Sequence, residues 1–330
     1  MMEEMEKSLR RQANIQGGAL LIYWVAMNIC VFFVMVTVAL AHALTASLSG
    51  FGGENAIPMI MEKMTTAMME TSGWGYLLAV AIGLLILLLW KKPTYIRHTL
   101  LQKGRPMGFG SFLALLSLVM GCQLLAQLNS FLLEWLARLL GFSMTSLLES
   151  VSVDTGSLPM LLYVGIAAPI SEELLFRGLL LRSIEPYNKK LAIFASALLF
   201  GLYHGNPVQT PYAFCVGLIL AYAALEYNVI WAMVLHLFNN LLFADSLPRL
   251  LSGLPDIVSD WIQWAIITGF FLAGLFVVLA KHREIATYWR RETVEPWQRK
   301  AFFRSPTVII LIVICMGSMV SFVLMGLFLA

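Results

Sequence analysis

Long apolar runs separated by short polar segments dominate the pattern of this 330-residue chain. A helix needs roughly 20 mostly apolar residues to cross the hydrocarbon core of a bilayer. We therefore predict an all-α fold, a polytopic transmembrane helix bundle with nine membrane-spanning helices. Their predicted ranges are 18–45, 73–90, 110–129, 158–183, 190–206, 210–227, 229–247, 258–280 and 306–329.

The composition supports a membrane protein. Hydrophobic residues make up 59% of the chain and charged residues 12%, whereas about 25% of a soluble domain is charged because its surface must be wetted. The net charge is only +3, and no basic stripe with interleaved aromatic residues occurs, so nucleic acid is not an expected partner. We expect the lipid bilayer as a partner, and nothing in the sequence predicts a nucleotide cofactor.

The distribution of lysine and arginine predicts the orientation of the helices. Cytoplasmic loops of membrane proteins carry an excess of these residues. With the N-terminus inside, 18 of the 22 basic residues fall in cytoplasmic segments. We predict a cytoplasmic N-terminus (1–17), a membrane-embedded helical domain (18–280), a basic cytoplasmic loop (281–305) and a C-terminal transmembrane helix (306–330) that ends outside. The expected location is the cell (plasma) membrane.

Two segments admit more than one interpretation. Residues 130–140 either extend the third helix or lie on the outer surface. Residues 281–304 combine basic side chains with Trp289 and Trp297. They fit either amphipathic contact with anionic lipid headgroups or an ordinary positively charged loop with tryptophans at the membrane interface.

Ionisable residues inside the predicted helices are confined to a few positions. An ionisable group at the centre of a bilayer costs a few kcal/mol, so such groups are usually paired and often functional. They occur in the fourth helix at 171–177, at the end of the fifth at 200–204, and in the seventh at 236–240. Of the six other predicted helices, three carry no acid, base or imidazole, and three carry a single one near an end. These three segments are therefore the candidates for a functional site.

Spacing within the fourth helix separates the roles of two adjacent glutamates. Glu173 and Arg177 are four residues apart, with the acid N-terminal, so they can pair on one face and fix the orientation of the helix. Glu172 is rotated by about 100° from Glu173 and has no arginine at this spacing. A carboxylate buried without a cation holds a proton more readily, which suits a general base acting on water.

His236 and Asn240 are also four residues apart and line one face of the seventh helix. An imidazole and an amide there can bind a metal, polarise a carbonyl or hold an oxyanion. His204 would add a second imidazole from the fifth helix. Glu172, His204 and His236 also match the ligands of a catalytic zinc site with one position open for water. Zinc-bound and metal-free chemistry are both compatible with these residues.

Depth in the membrane provides a separate test. Glu172 lies about 21 Å from the outer end of its helix, and thus about 9 Å from the inner face of a ~30 Å core. His236 lies about 10 Å from that face, which matches. His204 comes out about 21 Å from the inner face, which is too far outward. We therefore predict that the turn 205–211 is sunk below the outer surface, with a low-lying fifth helix, unless strong tilting corrects the depth of His204.

The motifs Glu-Glu-x-x-x-Arg, Phe-x-x-x-His and His-x-x-x-Asn, in this order on separate helices, resemble those of the CPBP family. This family comprises the CAAX prenyl proteases and the bacteriocin-processing enzymes, also called Abi proteins. The resemblance covers residues 172–240 and implies a protease core at 158–247. It also implies an eight-helix core, to which this chain adds one C-terminal helix.

The resemblance implies an intramembrane metalloendopeptidase-like protease that hydrolyses a peptide bond of a membrane-associated protein or peptide. Four residues would form the catalytic site by motif position, with Glu172 activating the water: Glu172, His204, His236 and Asn240. Three would support it: Glu173, Arg177 and Phe200. Whether the water is bound to zinc, held by Glu172, His204 and His236, or is activated by the glutamate alone stays open.

The alternative function is a non-catalytic immunity or regulatory protein of the same fold that binds a peptide or a sensor protein. All residues of the proposed site are present. A protein that only binds has no need of Glu172, so the sequence favours catalysis.

Overall fold

The computed structural model describes residues 1–48, 56–90, 102, 104–151, 157–243 and 247–329. Every regular element in these ranges is a helix, which confirms the predicted all-α bundle. In chain order the helices are α1 (Met2–Leu48), α2 (Ala56–Trp90), α3 (Phe109–Leu139), α4 (Met144–Val151), α5 (Leu158–Ile184), α6 (Lys189–Tyr203), α7 (Gln209–Glu226), α8 (Val229–Leu241), α9 (Leu247–Leu251), α10 (Asp256–Ala280), α11 (His282–Arg290), α12 (Pro296–Phe303) and α13 (Pro306–Leu329).

Six helices in the described part of the chain are long and apolar enough to cross a membrane: α1, α2, α3, α5, α10 and α13. Helices α6, α7 and α8 have only 15, 18 and 13 residues. At 1.5 Å per residue, α6 spans about 22 Å and α8 about 20 Å, less than the ~30 Å hydrocarbon core. The chain is a multi-pass membrane protein, but the nine full-length spans predicted from the sequence are not reproduced.

The short helices α6, α7 and α8 pack against α5 and α3 inside the bundle. Close approach of α6 and α7 depends on glycine. A Cβ on Gly217 would lie 3.0 Å from Cα of Ala197, and a Cβ on Gly201 would lie 2.8 Å from the carbonyl oxygen of Thr210. In a lipid bilayer the hydrophobic effect does not drive helices together. Close packing through small residues contributes to their association instead.

Helix α5 is widened at two places by π-helical turns. These turns are Tyr163–Ala167 and Leu174–Leu181. They flank a regular α-helical segment, Ala168–Glu173, that carries both adjacent glutamates. π-helical turns inside α-helices frequently mark functional sites. Here they change the direction of the side chains before and after the glutamate pair.

Both segments with two interpretations are structured. Residues 130–140 extend α3, which continues to Leu139. The predicted loop 281–305 contains the two short helices α11 and α12. Helix α12 begins with a capping box between Glu295 and Gln298, and Nε2 of Gln298 donates to the carbonyl oxygen of Tyr187 at 2.9 Å. This hydrogen bond attaches the segment to the connection between α5 and α6.

The N-terminal segment 1–17 is part of the helix bundle rather than a separate tail. Helix α1 begins at the second residue, and Leu9 is fully buried. The Ser8 hydroxyl lies 2.6 Å from the hydroxyl of Tyr187. Nε2 of Gln16 donates to the Ser183 hydroxyl at 2.8 Å. These contacts connect α1 to the C-terminal end of α5.

The turn between α6 and α7 is covered by protein. Nδ2 of Asn129 on α3 donates to the carbonyl oxygens of Pro207 and Val208, at 3.1 and 2.9 Å. The Val208 side chain is buried in a small cluster with Phe142 and its neighbours in the α3–α4 connection. These contacts attach the turn to α3 and α4, and the depth of residues 205–211 below the outer surface stays a prediction.

Candidate active site

Glu173 is the centre of a buried charged cluster, formed by Glu173, Arg177 and His236. The side chains of Glu173 and Arg177 are fully buried, and Nη1 of Arg177 donates to Oε1 of Glu173 at 2.8 Å. The same oxygen accepts from Nδ1 of His236 at 2.9 Å. Nη2 of Arg177 donates to the carbonyl oxygen of Gly217 on α7, at 3.2 Å. The pairing predicted from the four-residue spacing is present, and His236 is an additional partner.

The contact with Glu173 fixes the tautomer of His236. A carboxylate can only accept, so Nδ1 carries the hydrogen and Nε2 is left without one in the neutral ring. Nε2 lies 3.8 Å from Oε2 of Glu172, too far for a direct hydrogen bond. The Glu172 side chain is 23% exposed, whereas that of Glu173 is 0% exposed. Of the two glutamates, only Glu172 is therefore accessible.

The aromatic ring of Phe200 on α6 contacts both the charged cluster and His204. The guanidinium carbon of Arg177 lies 4.3 Å from the centre of this ring, within the range of a cation–π contact. The ring meets His236 and His204 edge-on, with centroid distances of 5.7 and 5.1 Å. Phe200, a supporting residue by motif position, thus packs against both imidazoles.

His204 lies one residue beyond the end of α6. Its Nδ1 is 2.9 Å from the carbonyl oxygen of Phe200. Because a carbonyl only accepts, Nδ1 carries the hydrogen and Nε2 carries none in the neutral ring. The next residue, Gly205, has a φ of +66°, and a Cβ at this position would lie 3.3 Å from Cβ of Ser318 on α13. The additional C-terminal helix therefore packs beside the turn that carries His204.

Asn240 is held by the backbone of α5. Its Nδ2 donates to the carbonyl oxygen of Val164 at 3.0 Å. The N–H of Ala168 donates to the carbonyl of Tyr163, five residues earlier. In the same five-residue pattern, residue 169 would donate to the carbonyl of Val164. Residue 169 is a proline, which has no N–H. Asn240 supplies the missing donor.

Helices α5 and α8 run antiparallel at the site. Glu173 contacts His236, whereas the earlier Val164 contacts the later Asn240. This arrangement brings Glu172 and His236 to the same level, in agreement with the depths calculated from the sequence. The fourth and seventh predicted helices therefore contribute to one site.

A second polar cluster, the amide–phenol network, is not predicted by the sequence. Its members are Gln123, Tyr212, Asn239 and Asn240. The Tyr212 hydroxyl donates to Oδ1 of Asn239 at 2.8 Å, and Nε2 of Gln123 donates to the Tyr212 oxygen at 2.7 Å. Nδ2 of Asn239 donates to Oδ1 of Asn240 at 3.2 Å. Two features of the sequence could have indicated it: Gln123 inside the third predicted helix, and Asn239 next to the predicted Asn240.

The segment that contains the charged cluster, and all of the amide–phenol network except Gln123, matches a known family. Residues 154–242 match the Rce1-like family model, described as type II CAAX prenyl endopeptidase Rce1-like. The resemblance to CAAX proteases is confirmed. The matched Rce1-like segment contains all three motifs and extends through the whole of α8. A search of curated proteins and a search of solved structures each gave no match.

The Rce1-like family is one of CAAX-type membrane endopeptidases, which implies a protease in a lipid bilayer with a membrane-associated substrate. A protein of this kind needs a group that activates water. Within the Rce1-like segment, Glu172 is an accessible carboxylate at the edge of the buried charged cluster. The candidate site therefore has the type of group that peptide hydrolysis requires.

The zinc set suggested by the sequence does not fit the donor arrangement. In the described ranges, no group of three or more His, Cys, Asp or Glu side chains is placed to hold a metal ion. Zinc ligands must converge on one point at about 2.0–2.2 Å. Glu172 and His236 approach each other, with Nε2 of His236 3.8 Å from Oε2 of Glu172, but no third side chain of these types joins them in the described ranges. The three residues do not form a common ligand set.

Proposed function

We propose that the chain is an intramembrane endopeptidase in which Glu172 is the general base and no zinc takes part. The substrate is a membrane-associated protein or peptide. One observation carries the proposal: Oε2 of Glu172 and Nε2 of His236 lie 3.8 Å apart, with the other ring nitrogen of His236 held by Glu173. Two acceptor atoms at this spacing fit a single water molecule better than they fit each other.

The water is oriented by both acceptors. It donates one hydrogen to Glu172 and the other to His236, so its lone pairs remain available for attack on a peptide carbonyl. Glu172 takes the proton as the carbon–oxygen bond forms. It gives the proton to the leaving amine as the carbon–nitrogen bond breaks. Glu173 keeps His236 in the required tautomer, the role that a buried aspartate has beside a catalytic histidine in serine proteases.

The oxyanion that forms on the attacked carbonyl needs donors. Nδ2 of Asn240 has a second hydrogen besides the one donated to Val164. His204 uses its Nδ1 hydrogen for the carbonyl oxygen of Phe200, so its Nε2 is an acceptor in the neutral ring and Asn240 remains the donor. Such pre-oriented donors stabilise the transition state more than the ground state.

The deciding experiment compares wild-type protein with Glu172→Gln, each purified in detergent and incubated with a library of membrane peptides. We expect the substitution to lower the cleavage rate by roughly 10²–10⁴-fold, the usual contribution of a general base. Glu284→Gln on α11 is the matched control, because this exposed glutamate pairs with Lys281 on the surface, and it should cleave like wild type.

Two results would contradict the proposal. Equal cleavage by wild type and Glu172→Gln would show that Glu172 is not the base. A wild-type protein that binds a peptide of the library without cleaving any would favour the non-catalytic immunity or regulatory function instead.

A further inference from the structure

The orientation of the Asn240 amide follows from a chain of donors and acceptors that begins at Pro169. The carbonyl of Val164 can only accept, and Pro169 leaves it without a backbone donor, so the nitrogen of Asn240 must face it. Oδ1 of Asn240 then faces Asn239, which donates to it. Oδ1 of Asn239 in turn accepts from the hydroxyl of Tyr212. A missing hydrogen on α5 thus determines the direction of hydrogen bonds across α8 to α7.

Gln123 closes this chain at its far end. Its Nε2 donates to the Tyr212 oxygen at 2.7 Å and lies 3.3 Å from Oδ1 of Asn239. Asn239 is only 5% exposed. If either asparagine flipped, two donors or two acceptors would face each other inside the protein, where an unpaired polar group is costly. The network therefore has one consistent orientation.

We propose that Pro169, Asn239 and Tyr212 are positioning residues that hold the Asn240 amide with its second Nδ2 hydrogen ready for the oxyanion. The proposal rests on the proposed function, in which Asn240 is an oxyanion donor. Donors that are oriented in advance need no reorganisation when the charge develops. Loosening the orientation of Asn240 therefore lowers kcat and leaves KM nearly unchanged.

The first test is Pro169→Ala. The new N–H supplies the carbonyl of Val164 with a backbone donor, either directly in the π register or by returning Ala168 to the α register. The helix gains a hydrogen bond, so Tm should rise. The Asn240 amide then shares the carbonyl oxygen of Val164 with a backbone donor and is held less firmly, so kcat should fall by roughly 10-fold, less than the 10²–10³-fold typical of removing an oxyanion donor. A purely structural role of Pro169 would not raise Tm while lowering kcat.

The matched control is Pro159→Ala on the same helix. Pro159 is in the first turn of α5, where backbone N–H groups have no partner within the helix. The substitution should therefore leave kcat unchanged.

Double substitution shows whether Pro169 acts through Asn240. In an Asn240→Ala background, Pro169→Ala should cost no further activity, because the group it positions is gone. An unchanged 10-fold effect in that background would mean that Pro169 acts through the geometry of Glu172 instead, and it would overturn the proposal.

Tyr212→Phe tests the orientation of the Asn240 amide from the opposite end of the network and leaves α5 unchanged. It removes the donor to Asn239 and should lower kcat by a few-fold, again without effect in the Asn240→Ala background. Tyr222→Phe is the control on the same helix, since the Tyr222 ring packs against Tyr288, and it should cleave like wild type.

The possible failures are distinguishable. Full activity of Glu172→Gln overturns the proposed function itself. Loss of activity in Glu172→Gln together with an unchanged kcat in Asn240→Ala, or in both Pro169→Ala and Tyr212→Phe, overturns only the positioning role.

Discussion

The charged cluster and the amide–phenol network meet on neighbouring turns of α8, the first through His236 and the second through Asn239 and Asn240. They differ in the kind of interaction that joins their residues. In the charged cluster, one oxygen of Glu173 accepts from both Arg177 and His236. In the network no group is ionised, and the donors and acceptors form a chain across α3, α7 and α8. The charged cluster keeps buried charges paired, whereas the network determines the orientation of its amide side chains.

The energetic consequence of this difference follows from solvation. Removing one partner of a buried ion pair strands a charge and costs about 3–5 kcal/mol. A neutral hydrogen bond between membrane helices contributes about 0.6 kcal/mol on average. We therefore expect the charged cluster to determine the stability of the helix contacts and the network to determine the orientation of Asn240.

The largest effect is expected for Arg177→Met in the charged cluster. Glu173 would remain buried with only His236 as a partner, so the free energy of unfolding should fall by about 3–5 kcal/mol. Unfolding of the purified protein in detergent, followed by circular dichroism, measures the loss.

Arg138→Met is the control for this change. Arg138 also pairs with a glutamate four residues away, Glu134, at the same kind of distance, 2.7 Å, but its side chain is 73% exposed. An exposed pair contributes at most about 1 kcal/mol. Equal losses for the two substitutions would remove the basis for treating the charged cluster as special.

A smaller effect is expected for Gln123→Met in the amide–phenol network. Tyr212 still donates to Asn239, so the orientation of the network persists and cleavage should continue at the wild-type rate. The free energy of unfolding should fall by about 0.6 kcal/mol, and by no more than about 1.7 kcal/mol. A loss as large as that of Arg177→Met would show that the network stabilises the bundle rather than orienting one side chain.

The sequence predicts where the apolar helices lie along the chain, but several of their ends differ from the structure. The predicted ranges 158–183 and 306–329 agree closely with α5 and α13. The length of an apolar run matches the membrane thickness when the helix has to cross it. Helix α6 ends at Tyr203, before its predicted end at 206, and the α-helical part of α8 reaches Leu241. For such helices an apolar run does not define where the helix stops.

Within the site, the sequence predicts contacts that depend on position along one helix or on depth. The Glu173–Arg177 pair follows from spacing, and the proximity of Glu172 to His236 follows from depth. The partner of Asn240 does not, because it depends on a π-helical turn next to Pro169.

The amide–phenol network escapes prediction for a different reason. A search for ionisable groups in apolar helices passes over neutral amides and phenols, since these are much less costly to bury. The lateral distances among α3, α7 and α8 depend on packing, and packing is not expressed in the spacing of residues within one helix.

Removal of metal ions is expected to have the smallest effect on the cleavage rate. Each histidine uses Nδ1 for a fixed hydrogen bond, to Glu173 for His236 and to a backbone carbonyl for His204. In the described part of the chain, no group of three or more His, Cys, Asp or Glu side chains is placed to hold an ion. The ring of Phe200 contacts both imidazoles and the guanidinium of Arg177.

We therefore expect thorough chelation of the purified protein to leave the cleavage rate unchanged and zinc analysis to find less than one equivalent. Zinc that leaves together with activity, and restores it when added back, would contradict this expectation. In that case the ligands would have to rearrange when the metal binds. With the metal-free site, Phe200→Leu should lower activity without any change in zinc binding, because it removes the ring that contacts His204, His236 and the guanidinium of Arg177.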